Sequence, residues 1–146
     1  MVCLGNICRS PLAEGILQQK VRTKGLTWEV DSAGTGAWHI GQAPDPRSIA
    51  IARKYGIDIT GQRARQFRPS DLNQFDLIFA MDPSNYREIL RHAASEAHRG
   101  KVGLMMNLVH PGENQPVPDP YWDDDGFEQV FQMLNRATDR LLEKYG

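Results

Sequence analysis

The chain has 146 residues, 40% of them hydrophobic and 24% charged, with a formal net charge of −1. That is the size and composition of one soluble globular domain, residues 1–146, with a sizeable core, and its near-neutral balance gives no global field for nucleic acid. No apolar run approaches the roughly 20 residues of a membrane helix, no signal peptide is visible, and two cysteines cannot build a disulfide framework, so a cytoplasmic protein with free thiols is expected.

In chain order, the first element is the most informative. Cys3-Leu4-Gly5-Asn6-Ile7-Cys8-Arg9-Ser10-Pro11 sets a thiol, five residues, an arginine, a hydroxyl and a helix-starting proline in one stretch. Gly5 and Asn6 tolerate left-handed backbone, which allows a tight loop whose N–H groups from Leu4 to Arg9 converge on an anion. A helix from Pro11 would add the positive end of its dipole, and Arg9 a two-pronged donor for phosphate oxygens. Ser10 can cap that helix or hydrogen-bond a thiolate. Cys3, at the loop entrance, is expected to be a thiolate nucleophile at neutral pH. The spacing alone also fits a small buried cysteine beside a surface arginine.

Leu12, Ile16, Leu17 and Val21 keep helical spacing until Lys24-Gly25, and Thr27 to Asp31 reads as a strand. Pro46 to Tyr55 is a predicted helix ended by Gly56, Asp76 to Met81 a buried strand, Pro83 to about Ala94 a helix, and Lys101 to Met106 a further strand. A last helix from about Gly126 carries Phe127, Val130, Phe131, Leu134, Leu141 and Leu142 on one face. This alternation predicts an α/β fold, a parallel sheet with helices on both faces and a ligand site beyond the carboxyl ends of its strands, where the Cys3 loop lies.

A thiolate attacking phosphorus needs a proton donor for the departing oxygen, and Asp119, stiffened between Pro118 and Pro120, is the candidate, although Pro-Asp-Pro also fits a plain turn. Asp123-Asp124-Asp125 reads as a solvated turn or as a rim for basic residues of a protein substrate. Arg63, Arg65 and Arg68 near Lys54 read as a solvated basic face. The histidines 39, 92, 98 and 110 show no ligand spacing, so no metal or other cofactor is expected.

Val2 to Pro11 resembles the signature of the low-molecular-weight protein tyrosine phosphatases. Asp31-Ser32-Ala33-Gly34-Thr35, Ala64-Arg65-Gln66, Ala80-Met81-Asp82 and Asp119-Pro120-Tyr121 fit that family in the same order, so the likeness covers nearly the whole chain. It implies a flavodoxin-like three-layer sandwich with a four-stranded parallel sheet in the order 2-1-3-4. It also implies hydrolysis of phosphotyrosine in a protein substrate through a cysteinyl-phosphate on Cys3, with Arg9 binding phosphate and Asp119 as general acid and base. Asn6, Ser10 and Ser32 match residues that hold the phosphate loop in shape, and Trp38 and Tyr121 match the walls of an aromatic slot, with Trp122 an additional ring nearby. Cys8 matches a cysteine that forms a reversible disulfide with the nucleophile under peroxide, a role that stands beside simple packing of the loop.

Two departures stand out. Members usually carry more apolar residues before the signature, whereas Met1 and Val2 alone precede Cys3 here, so a shortened central strand is expected. A supporting histidine is replaced by Gln62, which can donate a hydrogen bond but carries no charge. Other functions on the same scaffold are arsenate reduction, which needs cysteines after Cys8, and phosphoarginine hydrolysis, whose enzymes tend to carry threonine where Ile7 stands. A phosphotyrosine-binding module without catalysis is a further alternative, against which stand Cys3, Arg9 and Asp119. The resemblance admits a tyrosine kinase as a partner.

Overall fold

The computed structural model describes residues 1–146. Its elements are β1 (Val2–Cys3), α1 (Arg9–Thr23), β2 (Ala33–Gly34), α2 (Pro46–Lys54), α3 (Asp71–Gln74), β3 (Ile78–Ala80), α4 (Pro83–Leu90), α5 (Glu96–Gly100), β4 (Val102–Leu104) and α6 (Gly126–Tyr145). The strands are all parallel, in the order β2-β1-β3-β4, with Val2 paired to both Ala33 and Ala80.

Alternation along these strands divides the apolar side chains between two cores. Cys3, Phe79 and Met81 face a cluster formed with Leu12 and Ile16 of α1, Ala52 of α2 and Leu134 of α6. Val2, Ala33, Ile78, Ala80, Val102 and Leu104 face the other way, onto Leu72 of α3 and Ile89 of α4. Helices therefore cover both faces, and the 2-1-3-4 sheet expected from the family likeness is present. The apolar face read on the last helix, from Phe127 to Leu142, is buried throughout. No helix is long and apolar enough to cross a membrane.

Several local expectations are corrected. Thr27–Asp31 is not a strand, and β2 begins only at Ala33. The Met1 amine donates to the Asp31 carbonyl at 3.1 Å and the Ala33 N–H to the Met1 carbonyl at 3.0 Å, so the ladder starts there and residues 27–30 donate no backbone hydrogen bond. The apolar alternation of Trp28 and Val30 reflects packing against the α1/α6 core instead. The helix expected to reach Ala94 stops at Leu90. Tight turns at His92 and Ala93 follow, and Ser95 then caps the short α5 through the His98 N–H at 3.1 Å.

At its amino end α1 begins at Arg9 with Cys8 as N-cap and no side-chain capping bond. Ser10 is therefore the second helical residue rather than the cap, and Pro11 the third rather than the first. The loop turns into the helix early because the Cys8 carbonyl already accepts from the Leu12 N–H at 3.4 Å.

Candidate active site

The main chain of the loop between β1 and α1 is tethered to its surroundings through carbonyls. The Cys3 carbonyl accepts from Thr35 N–H at 2.9 Å, that of Leu4 from Gly36 at 2.9 Å, and that of Ile7 from Asp45 at 2.8 Å. The Cys8 carbonyl accepts from Leu12 and from the Ser48 hydroxyl, the latter at 3.3 Å. In a trans peptide the N–H of the next residue points opposite to the carbonyl. With these four carbonyls tied outward, the N–H groups of Leu4, Gly5, Cys8 and Arg9 are turned away from the scaffold, and the first three donate to no protein atom. Such a ring of convergent donors at a helix N-terminus is a cradle for an anion. Gly34 lets β2 approach it, since a Cβ there would stand 2.8 Å from the Leu4 carbonyl oxygen and 3.1 Å from the Asn6 nitrogen.

Asn6 sits at φ 58°, in the left-handed region, and closes the loop. Its N–H donates to Cys3 Sγ at 3.3 Å, and its Nδ2 donates to the hydroxyls of Ser10 at 2.8 Å and Ser32 at 2.9 Å. Its Oδ1 accepts from the Arg65 N–H at 3.0 Å. Because Ser10 Oγ already accepts from Asn6, its own proton is free for Cys3 Sγ, 3.0 Å away. Ser32 in turn donates to the buried Glu14 carboxylate at 2.7 Å, and burial pushes the Glu14 pKa up. The three loop-support residues read from the sequence are thus joined in one buried chain, with Glu14 as a member the sequence reading missed.

Gln62 does not join that chain. It donates to the Pro11 carbonyl at 3.0 Å, and its Oε1 is buried without a partner. The arginines 63, 65 and 68 form no basic face with Lys54. Arg65 pairs with Asp31 and Asp71, Lys54 with Glu128, and Arg63 donates to backbone carbonyls.

Arg9 is 3% exposed. Its Nη1 donates to Asp82 Oδ2 at 2.7 Å and to the Val117 carbonyl at 3.0 Å, while its Nε has no protein partner. Nη2 lies 3.8 Å from Asp119 Oδ2. Asp82 was legible only as part of a matching triplet; here it fixes the guanidinium from behind while capping α4 through the Asn85 N–H at 2.8 Å. Asp119 Oδ1 accepts from the Tyr121 N–H at 3.1 Å, which leaves Oδ2 turned toward Arg9.

These groups share one cavity of about 260 Å³, lined by Cys3, Leu4, Gly5, Ile7, Cys8 and Arg9 below and by Trp38, His39, Asp119, Tyr121 and Trp122 above. Trp38 is 71% exposed and Trp122 89%, so they form a rim, whereas Tyr121 at 36% is a wall. His39, which lacked any sequence signal, stands at the mouth with its ring against Gly5, and its Nδ1 is 3.0 Å from Gln42 Oε1. A larger cavity of about 440 Å³, bordered by Met1, Trp28, Phe75, Leu77 and Tyr145, is lined by none of Cys3, Arg9 and Asp119. Both cysteines are free and buried. Burial, together with the Asp45 carboxylate, pushes the Cys8 thiol up to about 12, which keeps it protonated at neutral pH. No group of three or more His, Cys, Asp or Glu side chains is placed to hold a metal ion.

The family model described as "Low molecular weight phosphotyrosine protein phosphatase" matches residues 1–145. A Schizosaccharomyces pombe protein of the same description is 45% identical over 97% of this chain and 92% of its own length. A protein tyrosine phosphatase from Entamoeba histolytica, solved with HEPES in its active site, superposes with a TM-score of 0.90 at 36% identity, covering 98% of this chain and 92% of the other. A Drosophila arginine phosphatase superposes at 0.91 with 33% identity, covering 99% and 94%. The chain belongs to the low molecular weight phosphotyrosine protein phosphatase family. Its activity class is that of a protein-tyrosine phosphatase, a hydrolase.

Proposed function

We propose that residues 1–146 act as one domain that hydrolyses phosphotyrosine in a protein substrate through a cysteinyl-phosphate. The substrate's phosphate oxygens are received by the loop N–H groups and by the Nε and Nη2 of Arg9, which stabilise the charge spread over them in the transition state. Cys3 Sγ forms a bond to phosphorus as the bond to the phenolic oxygen breaks, and Asp119 gives its proton to that oxygen. Water then attacks phosphorus and passes a proton to Asp119. The S–P electron pair returns to sulfur, where the Ser10 hydroxyl donates to it, and inorganic phosphate leaves. The observation that carries this reading is the outward tethering of four loop carbonyls around Cys3, with Arg9 braced behind them.

Ile7 lends the cavity an apolar surface and Tyr121 a wall, which suits a phenyl ester reaching a recessed thiol better than a short phosphoserine. A phosphotyrosine protein, including a tyrosine kinase that carries its own phosphate, is the proposed partner. A cytoplasmic setting suits a nucleophile that must remain a free thiol. Cys8 is proposed as the partner of Cys3 in a reversible peroxide-induced disulfide, tested by recovery of activity in dithiothreitol.

Phosphate release from phosphotyrosine, phosphoserine and phosphoarginine peptides, measured for wild type and Cys3→Ser, tests the main reading. Turnover of phosphotyrosine alone, lost in the variant while vanadate still binds, is the expected result. Preferred turnover of phosphoarginine would move the substrate to that of the Drosophila relative, and an active Cys3→Ser would overturn the covalent route.

A further inference from the structure

Arg47, the second residue of α2, holds partners on both sides of the cavity. Its Nε and Nη2 donate to the two oxygens of Asp45, each at 2.9 Å, and its Nη1 donates to Asp124 Oδ1 at 2.6 Å. The guanidinium carbon also lies 5.6 Å from the ring centre of Tyr121 and 4.7 Å from that of Phe127. Asp45 belongs to the phosphate-loop side, because its N–H donates to the Ile7 carbonyl at 2.8 Å. Asp124 and Tyr121 belong to the segment that carries Asp119.

That segment has few other attachments. From residue 119 to 125 the side-chain hydrogen bonds are those of Asp119 to Tyr121 N–H and Asp123 to Asp125 N–H, both internal, and the one from Arg47. The segment's other links are the buried ring of Pro120, the Asp123 carbonyl accepting from the Gly126 N–H at the start of α6 at 3.0 Å, and the 3.8 Å contact of Asp119 with Arg9 within the site itself. We propose that Arg47 is a positioning residue that latches the Asp119 segment to the phosphate loop and so sets the distance over which the proton reaches the leaving oxygen.

The chemistry of the side chain suits the task. A planar fork held by both oxygens of one carboxylate has little freedom to swing, and its face and remaining edge are then available for Tyr121 and Asp124. The bonds from Arg47 also hold the Asp45 carboxyl below its usual range, so the grip persists in mild acid. Asp124, within the acidic triplet, is accordingly a tether.

The inference rests on Asp119 as general acid, so the test separates the two. It compares kcat/KM, which reports the steps through the first chemical one, for phosphotyrosine and for an aryl phosphate with a strongly acidic phenol. Displacing a reacting group by around an ångström carries a penalty of up to about 100-fold, so Arg47→Ala is expected to lose about 10- to 30-fold on phosphotyrosine and less than about 3-fold on the activated ester, with vanadate affinity unchanged. Arg47→Lys, which keeps charge without the fork, should recover only part of the loss. Asp124→Asn, at a site 83% exposed where folding is not at risk, should show the same selectivity more weakly. Adding Arg47→Ala to Asp119→Asn should cost little more, because the acid is already gone. Equal losses on both esters, or additive losses in the double variant, would overturn the latch. Absence of leaving-group selectivity in Asp119→Ala would instead remove the acid assignment, whatever Arg47 does.

Discussion

Replacing Asn6 by alanine removes three hydrogen bonds at once, the buried ones to Ser10 and Ser32 at 2.8 and 2.9 Å and the partly buried one from the Arg65 N–H at 3.0 Å. At about 1 kcal/mol net for each, their loss amounts to about 3 kcal/mol. Alanine must also hold φ 58°, which adds about 1 kcal/mol that asparagine largely avoids. The total, about 4 kcal/mol, is a large part of the 5–15 kcal/mol over which such domains are stable, and with a urea dependence of about 2 kcal/mol per molar it lowers the midpoint by about 2 M. Asn6→Gly loses the same bonds but adopts the backbone freely, so it should recover about 1 kcal/mol of the alanine deficit. Both variants should also lose turnover, since Ser10 is no longer oriented toward Cys3. Urea unfolding of the three proteins, each also assayed for kcat, decides the matter. Equal stability of the alanine and glycine variants would refute the backbone contribution, and a loss under about 1 kcal/mol in both would refute the network's weight.

Asp119→Ala should lose about 10²- to 10³-fold on phosphotyrosine and less than about 10-fold on an ester of an acidic phenol, read as kcat/KM. Asp82→Ala strips the buried Arg9 of its ion pair, with an expected stability loss of about 3–5 kcal/mol in phosphate-free buffer, checked by urea unfolding. For Glu14 the sign follows from burial, which raises its pKa above the unfolded value near 4.5. Its contribution is complete below pH 4.5 and is lost as pH rises through the folded value, because the unfolded chain gives up the proton first. Glu14→Gln should therefore flatten the decline in unfolding free energy above pH 4.5, and an unchanged slope would place the titration elsewhere.

The nucleophile loop was legible because its chemistry is local. Glycine, asparagine, arginine and serine act there within eight residues of Cys3, and backbone geometry does most of the arranging. Asp119 lies 116 positions away, where Pro-Asp-Pro made it a candidate beside a plain turn and the matching triplet alone tipped the reading. Asp82 was marked by its triplet but given no role, and Glu14, Asp45 and Arg47 were not read at all, because each works on a neighbour delivered by the fold. Glu14 is one face of an ordinary helix until Ser32 arrives, and Arg47 is a surface arginine until α6 brings up Phe127 and the segment before it brings up Asp124. Thr27–Asp31 failed for the converse reason. Its period was right for a strand, but a ladder needs a second backbone alongside, and there the partner is side chains of the core.

The outward anchoring of the loop carbonyls divides labour between main chain and side chain. On the proposed mechanism, recognition of the phosphate is written in peptide dipoles, which no side-chain change short of proline at Leu4, Ile7 or Cys8 deletes, while the group that carries the phosphate meets side chains, Ile7 from the loop and Trp38, His39, Tyr121 and Trp122 from separate segments. A lineage with this arrangement can change its clientele by altering those side chains, without passing through a form that has lost the reaction.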